Sequence, residues 1–254
     1  MSVFSLKIIA LLSMIVDHFI TADILSQTLL ISVFHFDLQT SATVLRILSL
    51  FGRISFPIFA FFIAEGYRHT HSVGKYLLRI LSFAILSEIP FDLALTPMYG
   101  EWFNMITIGK HLNVLFTFAL SIIGLHSYHI LKSKTVSIVI QLGALAIPLL
   151  LAEVFGTDYS FCGVAFVYIA YFGFQKKWQY IGMIAILFVL YVVYASGFFM
   201  NLSKYNIYEW IASCCALLFI YCYNKKRGAS SKWLFYSSYP IHLVIIALIR
   251  FITV

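Results

Sequence analysis

The sequence predicts an all-α bundle of membrane-spanning helices, about nine spans with the N-terminus in the cytoplasm, and three observations carry that prediction. Of the 254 residues, 62% are hydrophobic and only 11% charged, with a mean hydropathy of +0.95. Water-soluble domains of this size do not have that composition. Apolar stretches long enough to cross a hydrocarbon core of about 30 Å recur along the chain, joined by short polar links. Lys and Arg gather on alternate links, as the charge asymmetry of polytopic membrane proteins requires. The net charge of +7 is therefore an orientation signal, and nucleic acid is not an expected partner.

The spans fall at approximately 6–33, 42–67, 76–96, 112–131, 135–154, 159–175, 178–197, 207–223 and 234–252. The first is read as a helix ending near Ala22, followed by an apolar interfacial turn through Phe34. It runs well past a signal-peptide core and lacks a small-residue cleavage site, so it is expected to be retained. With the N-terminus inside, the cytoplasmic side receives Lys7, the 68–79 cluster, the 132–134 and 176–177 pairs and the run Lys225-Lys226-Arg227 with Lys232. The other side receives only Lys110, Lys204, Arg250 and Arg46. Links are short and no repeat is evident, so residues 1–254 read as one domain. Cys162, Cys214, Cys215 and Cys222 all lie in apolar segments without metal spacing and read as small hydrophobes.

The second span, FGRISFPIFAFFIAEGYRHTH from Phe51 to His71, holds Arg53 and Pro57 in its interior. A charge inside a span costs about 2.5 to 3.5 kcal/mol to insert and so faces protein or a wet cavity. Pro57 has no N–H to offer the Arg53 carbonyl. Arg46, Ser49, Arg53, Pro57, Ala60 and Ala64 form one stripe expected to face the bundle interior. His69 and His71 lack the company a metal site needs, and no metal is expected.

Other spans bring polar groups to a similar depth. His18 lies about 18 Å along the helix from Leu6. Ser13, Asp17 and Thr21 share a face, whereas His18 is rotated by about 100° from Asp17, so the two do not face each other. Each then needs a partner from another helix, or the helix is distorted there. Glu88 sits about 18 Å from Tyr76, with Asp92 one turn on and Pro90 between them. Arg53 has three readings open: a structural pair with Asp17 or Glu88, or a contact to an anionic or carbonyl group of a substrate. Asn113 opens the fourth span, and Asp158-Tyr159 reads as a turn with a helix cap. In the last span, SSYPIHLVIIAL, His242 lies about 12 Å from Leu234, and Pro240 frees the Tyr236 carbonyl. Proline-broken helices at membrane depth are tolerated where they line a cavity.

In that order, LKIIALLSMIVDHF, FGRISFPIFAFFIAEGY, ILSEIPFDLAL, HLNVLFTFAL and SYPIHLVIIAL resemble the TraX family of membrane proteins, named for an acetylase that N-acetylates conjugative pilin subunits. Lys7 with Asp17-His18, and Gly52-Arg53 with Phe56-Pro57, are the most specific part of the likeness. More distantly, the pattern is similar to bacterial membrane acyltransferases that acetylate sugars with cytoplasmic acetyl-CoA. Their last helix carries a Tyr-x-x-His-type signature, here Tyr239 to His242.

The resemblance implies an acetyltransferase of the bacterial inner membrane, taking acetyl-CoA as donor substrate and a pilin amine or envelope glycan hydroxyl as acceptor. In that reading His18, or alternatively His242, is the general base, with Asp17 or Glu88 holding it in its working state. Arg53 stabilises the developing oxyanion or holds the carboxylates. Arg68, Lys75 and Arg79 would take the phosphates of CoA. The rival reading is a proton-coupled small-molecule transporter or flippase, which also uses buried carboxylates, a His and broken helices at the midplane.

Overall fold

The computed structural model describes residues 1–95, 111–176, 178–197, 199–229 and 232–253. Among these every regular element is helical. The helices are α1 (Val3–Thr21), α2 (Gln27–Phe34), α3 (Leu38–Gly52), α4 (Ser55–His69), α5 (Val73–Leu95), α6 (Val114–Ser133), α7 (Ile138–Val154), α8 (Ser160–Phe172), α9 (Trp178–Phe188), α10 (Lys204–Tyr221) and α11 (Lys232–Thr253). Helix α9 runs on into a π-helical turn, Val189–Tyr194. Lys110 and Lys177, two of the charges used for orientation, lie outside the described residues.

Local chemistry sets the helix starts. Ser2 accepts from the Ser5 N–H at 3.1 Å, Ser26 from Leu29 at 3.2 Å, and Asn113 from Leu115 at 3.0 Å. Asp37 accepts from both Gln39 and Thr40 at 2.9 Å. Each takes up a first-turn donor with no partner inside its helix. His35, in the left-handed region at φ 55°, ends α2. The turn before α8 is built differently from the expected Asp158 cap. Tyr159 is its N-cap residue, with φ 62° and no side-chain cap bond. Asp158 works through its backbone, donating to Leu112 O at 2.8 Å and accepting from Thr117 Oγ1 at 2.5 Å.

Among the described residues, four helical stretches are long and apolar enough to cross a membrane: Val3–Thr21, Leu38–His69 taken through its break, Val114–Ser133 and Trp233–Ile252. Three shorter helices, Ile138–Val154, Ser160–Phe172 and Trp178–Tyr194, are also apolar. Large hydrophobic side chains stand exposed along them, including Val139, Val154 and Ile181. In water such surface would drive association; against lipid tails it is ordinary.

The expected second span departs from its prediction. A single proline-kinked helix over 42–67 is replaced by two helices that stop and restart at Arg53-Ile54. Pro57 is the third residue of α4, in a first turn whose N–H groups have no intrahelical partner in any case, so its missing donor costs nothing. The break also ends the predicted stripe: Arg46 is exposed, while Pro57, Ala60 and Ala64 are buried. Asp92, which the sequence left open to solvation, is buried at 6% exposure.

By their contacts the residues divide into two compact units, each discontinuous in sequence, where short links read as one domain. The first comprises Met1–Ile58, Ile89–Ile108 and Ile211–Val254, and the second Phe59–Glu88 and Gly109–Trp210. In the first, α1 packs on α3 and α11, and α2 on α3. In the second, α6, α7 and α8 pack on one another and α9 on α8. Gly124 lets α6 close on α8 there, since a Cβ would run into the Tyr168 hydroxyl.

Candidate functional site

The first unit gathers a polar centre on α1, α3 and α11. Ser13 and Asp17, one turn apart on α1, both meet the end of α3. The Ser13 hydroxyl lies 2.7 Å from Phe51 O and 3.0 Å from Gly52 O, and Ser55 Oγ donates to Gly52 O at 2.9 Å. These are carbonyls at the end of the interrupted helix, where Phe51 O also accepts from the Ile54 N–H at 3.2 Å. Asp17, 8% exposed, packs so tightly on Gly52 that a Cβ at position 52 would lie 2.6 Å from its own Cβ. Arg53 Nη1 reaches Asp17 Oδ2 at 3.5 Å. The guanidinium thus sits where a carboxylate and the negative pole of α3 coincide, and it complements both.

His18 follows Asp17 by one residue and faces another helix, as its rotation requires. Its Nδ1 lies 2.7 Å from His242 Nε2 of α11. The rings are tilted by only 22° with centroids 4.9 Å apart, the disposition of two imidazoles joined edge to edge in nearly one plane. His242 Nδ1 in turn lies 2.7 Å from the Ser238 carbonyl. A carbonyl can only accept, so His242 Nδ1 carries a proton, and in the neutral ring Nε2 is then an acceptor. His18 Nδ1 must therefore donate to it. The remaining atom, His18 Nε2, holds a lone pair and takes no hydrogen bond among the described residues. The chain of atoms fixes both tautomers. Tyr239, one turn below, sets its ring edge-on to both imidazoles, at 6.4 Å from His18 and 5.6 Å from His242.

The other predicted site residues lie in the second unit and have partners there. Glu88 of α5 accepts from the Asn113 backbone N–H at 3.2 Å and from its Nδ2 at 2.5 Å. Asn113 Nδ2 also donates to Ala84 O at 2.9 Å. Arg68 pairs with Glu65, donates to Tyr171 O at 2.8 Å and lies 3.7 Å over the Phe174 ring. His69 Nε2 is 3.5 Å from Glu65. Lys75 is exposed and Arg79 half-buried, one turn apart on α5. Among the described residues no group of three His, Cys, Asp or Glu side chains could hold a metal ion.

The structure thus brings His18, Asp17, Arg53 and His242 together within one unit and gives Glu88 a separate partner. Sequence reasoning missed Ser13, Gly52, Ser238 and Asn113 as site or partner residues. Ser13 carried a signal, sharing a helical face with Asp17. Asn113 carried one as well, being a cap residue ahead of an apolar run. The Ser238 carbonyl, a backbone atom, carried none.

Chemically, the first unit holds a neutral imidazole whose free nitrogen can take a proton, a second imidazole placed to share the resulting charge, and a guanidinium nearby. Comparison with known proteins adds the family. The family described as TraX protein matches residues 2–250. The chain is similar to the "Probable fimbrial assembly protein FimC, serogroup H1" of Dichelobacter nodosus, with 24% identity over 256 residues, 96% of this chain and 94% of that protein. No solved structure matches. This membrane protein belongs to the TraX family.

Proposed function

We propose that the chain is a multi-pass acyltransferase of the bacterial inner membrane, crossing it nine times with the N-terminus in the cytoplasm, that moves an acetyl group from acetyl-CoA to an amine or hydroxyl acceptor. The observation that carries this reading is the His18–His242 pair tied to the Ser238 carbonyl, which leaves His18 Nε2 open as a base and assigns His242 to orient it. The acceptor nitrogen or oxygen attacks the thioester carbonyl while His18 Nε2 takes its proton. The new bond to carbon forms, the carbon–sulfur bond breaks, and the leaving thiolate recovers the proton from His18. His242 Nε2 accepts a hydrogen bond from His18 throughout and spreads the imidazolium charge; Arg53 faces the oxygen that becomes negative. Relief of the proton-transfer barrier is worth about 10² to 10⁴ in rate.

The fimbrial name of the similar protein favours a pilin amine over a glycan hydroxyl as acceptor. Of the three residues expected at the donor's phosphates, Arg68 is committed to Glu65 and Tyr171. Protein purified in detergent, supplied with acetyl-CoA, should release CoA slowly and transfer the acetyl group faster with a pilin-like peptide present. His18→Ala should remove both activities in monodisperse protein, and unchanged activity would overturn the assignment. The same hydrogen-bonded His pair also suits a proton path, so proton-driven solute uptake by liposomes without any acyl donor would move the reading to a transporter.

A further inference from the structure

The strongest concentration of positive charge in the first unit lies at the start of α1 and α11, below the His pair on the same two helices. The chain's first residues are docked there along the link between α10 and α11. The amino terminus donates to Cys222 O, Asn224 N–H to Met1 O at 2.9 Å and Val3 N–H to Lys226 O at 2.9 Å. Gly228, at φ 71°, allows the close approach, since a Cβ there would lie 2.8 Å from Ser2 Oγ and 2.9 Å from Phe4 Cβ. This pairing holds Lys225, Lys226 and Arg227, all exposed, beside the amino terminus. Lys7, one turn into α1, stands 5.3 Å from the Phe235 ring of α11 and feels the Arg227 charge. Phe4 and Phe235 touch edge-on at 6.0 Å, so the positive poles of α1 and α11 share this end.

We propose that this end of the first unit binds phosphate esters, and specifically the nucleotide phosphates of the acyl-CoA donor. The proposal rests on the acyl-transfer reading and relocates its phosphate site from α5 to α1 and the 225–227 link. Two helix N-termini and four basic side chains make an anion site of a recognised kind. The spacing fits as well. Lys7 lies about 16 Å below His18 along α1, and Lys232 about 15 Å below His242 along α11. The arm between diphosphate and thioester is about twelve bonds long, roughly four extended residues, or about 14 Å. A donor with its phosphates at the link therefore carries its carbonyl to the level of His18. The link lies on the side the charge asymmetry assigns to the cytoplasm, where CoA is found.

The phosphates of an anionic lipid headgroup share this chemistry, so the test separates the two sources. CoA binding is measured by calorimetry on the full chain in nanodiscs of zwitterionic lipid, for wild type, for K225Q/K226Q/R227Q and for K75Q/R79Q. The link variant changes only exposed side chains and should fold. The expected result is saturable binding by wild type, weakened about a hundredfold in the link variant and little changed in K75Q/R79Q. Binding that survives the link variant, or falls only in K75Q/R79Q, overturns the proposal. So does absence of CoA binding in wild type together with link-dependent enrichment of anionic lipid in mixed-lipid discs, which would make the link a lipid contact. CoA binding that depends on the link, without any acetyl transfer, would keep the phosphate site and remove the transferase reading instead.

Discussion

Buried charge is handled in opposite ways by the two units. In the second, Glu88 accepts two hydrogen bonds from Asn113, and Arg68 divides itself among a carboxylate, a carbonyl and an aromatic face. Those contacts offset part of each group's desolvation where it stands, as a structural charge in an apolar bundle requires. In the first unit Arg53 reaches Asp17 at 3.5 Å, and the His pair spends three of its four ring nitrogens in a directed chain. One nitrogen, His18 Nε2, is left to act. A lone pair held in place by its neighbours is the arrangement that a general base needs.

The largest expected break in this comparison comes from the His pair. His18→Ala should lower acetyl transfer about 10²- to 10⁴-fold. His242→Ala, which removes only the orienting partner, should cost about 10- to 100-fold. Equal losses at the two positions in a transfer assay would mean that the tautomer assignment is wrong.

Next come the two residues at the interruption between α3 and α4. Gly52→Ala drives a methyl into Asp17 and should destabilise the protein by about 1 to 3 kcal/mol. Pro57→Ala, in a first turn that needs no N–H, should cost about 1 kcal/mol or less. Thermal unfolding in detergent reads both. A larger loss at Pro57 than at Gly52 would restore the kinked single helix.

In the second unit, Asn113→Ala removes the cap of α6 and the Nδ2 donor to Glu88 and Ala84 O, while the backbone N–H still reaches Glu88; it should cost about 1 to 3 kcal/mol. Its transfer rate per folded molecule should match wild type, and a drop at constant folded fraction would place Glu88 in the chemistry after all.

The smallest effect belongs to Asp37. The Thr40 hydroxyl, followed by the Thr40 and Gln39 N–H groups, holds its carboxyl below the usual carboxylate range. Because the folded value is depressed, the cap's contribution is complete above the unfolded value of about 4 and fades as pH falls through the folded one. Asp37→Asn should flatten that acid limb of the unfolding temperature as pH falls below about 4. An unchanged acid limb would show that the cap bond contributes nothing.

How much of this could be read beforehand depends on the reach of each interaction. Hydropathy and caps act within a few residues, so the helices that carry Asp17, His18 and His242 were legible. The separation of Asp17 from His18 by rotation alone was also legible, and the structure realises it with different partners for each. The stop at Arg53-Ile54 was not, because an apolar stretch looks the same whether Pro57 kinks one helix or opens another. Deciding it needs Ser13 on a different helix to take the exposed carbonyls. Depth left Glu88 open as one of several partners for Arg53, and depth does not say which neighbour stands alongside; Asn113, 25 positions away, is one that does. The contacts of Arg68 with Tyr171 and Phe174, more than 100 positions away, lie outside what a local reading reaches.

The hydrogen bond between His18 and His242 joins positions 224 apart, and the docking of Met1 on Cys222 spans nearly as much. During synthesis the first helix must therefore wait in the membrane until almost the whole chain has followed it. A protein cut short before α11 would carry His18 without its partner. Synthesis of α11 is in this sense a condition for assembling the centre.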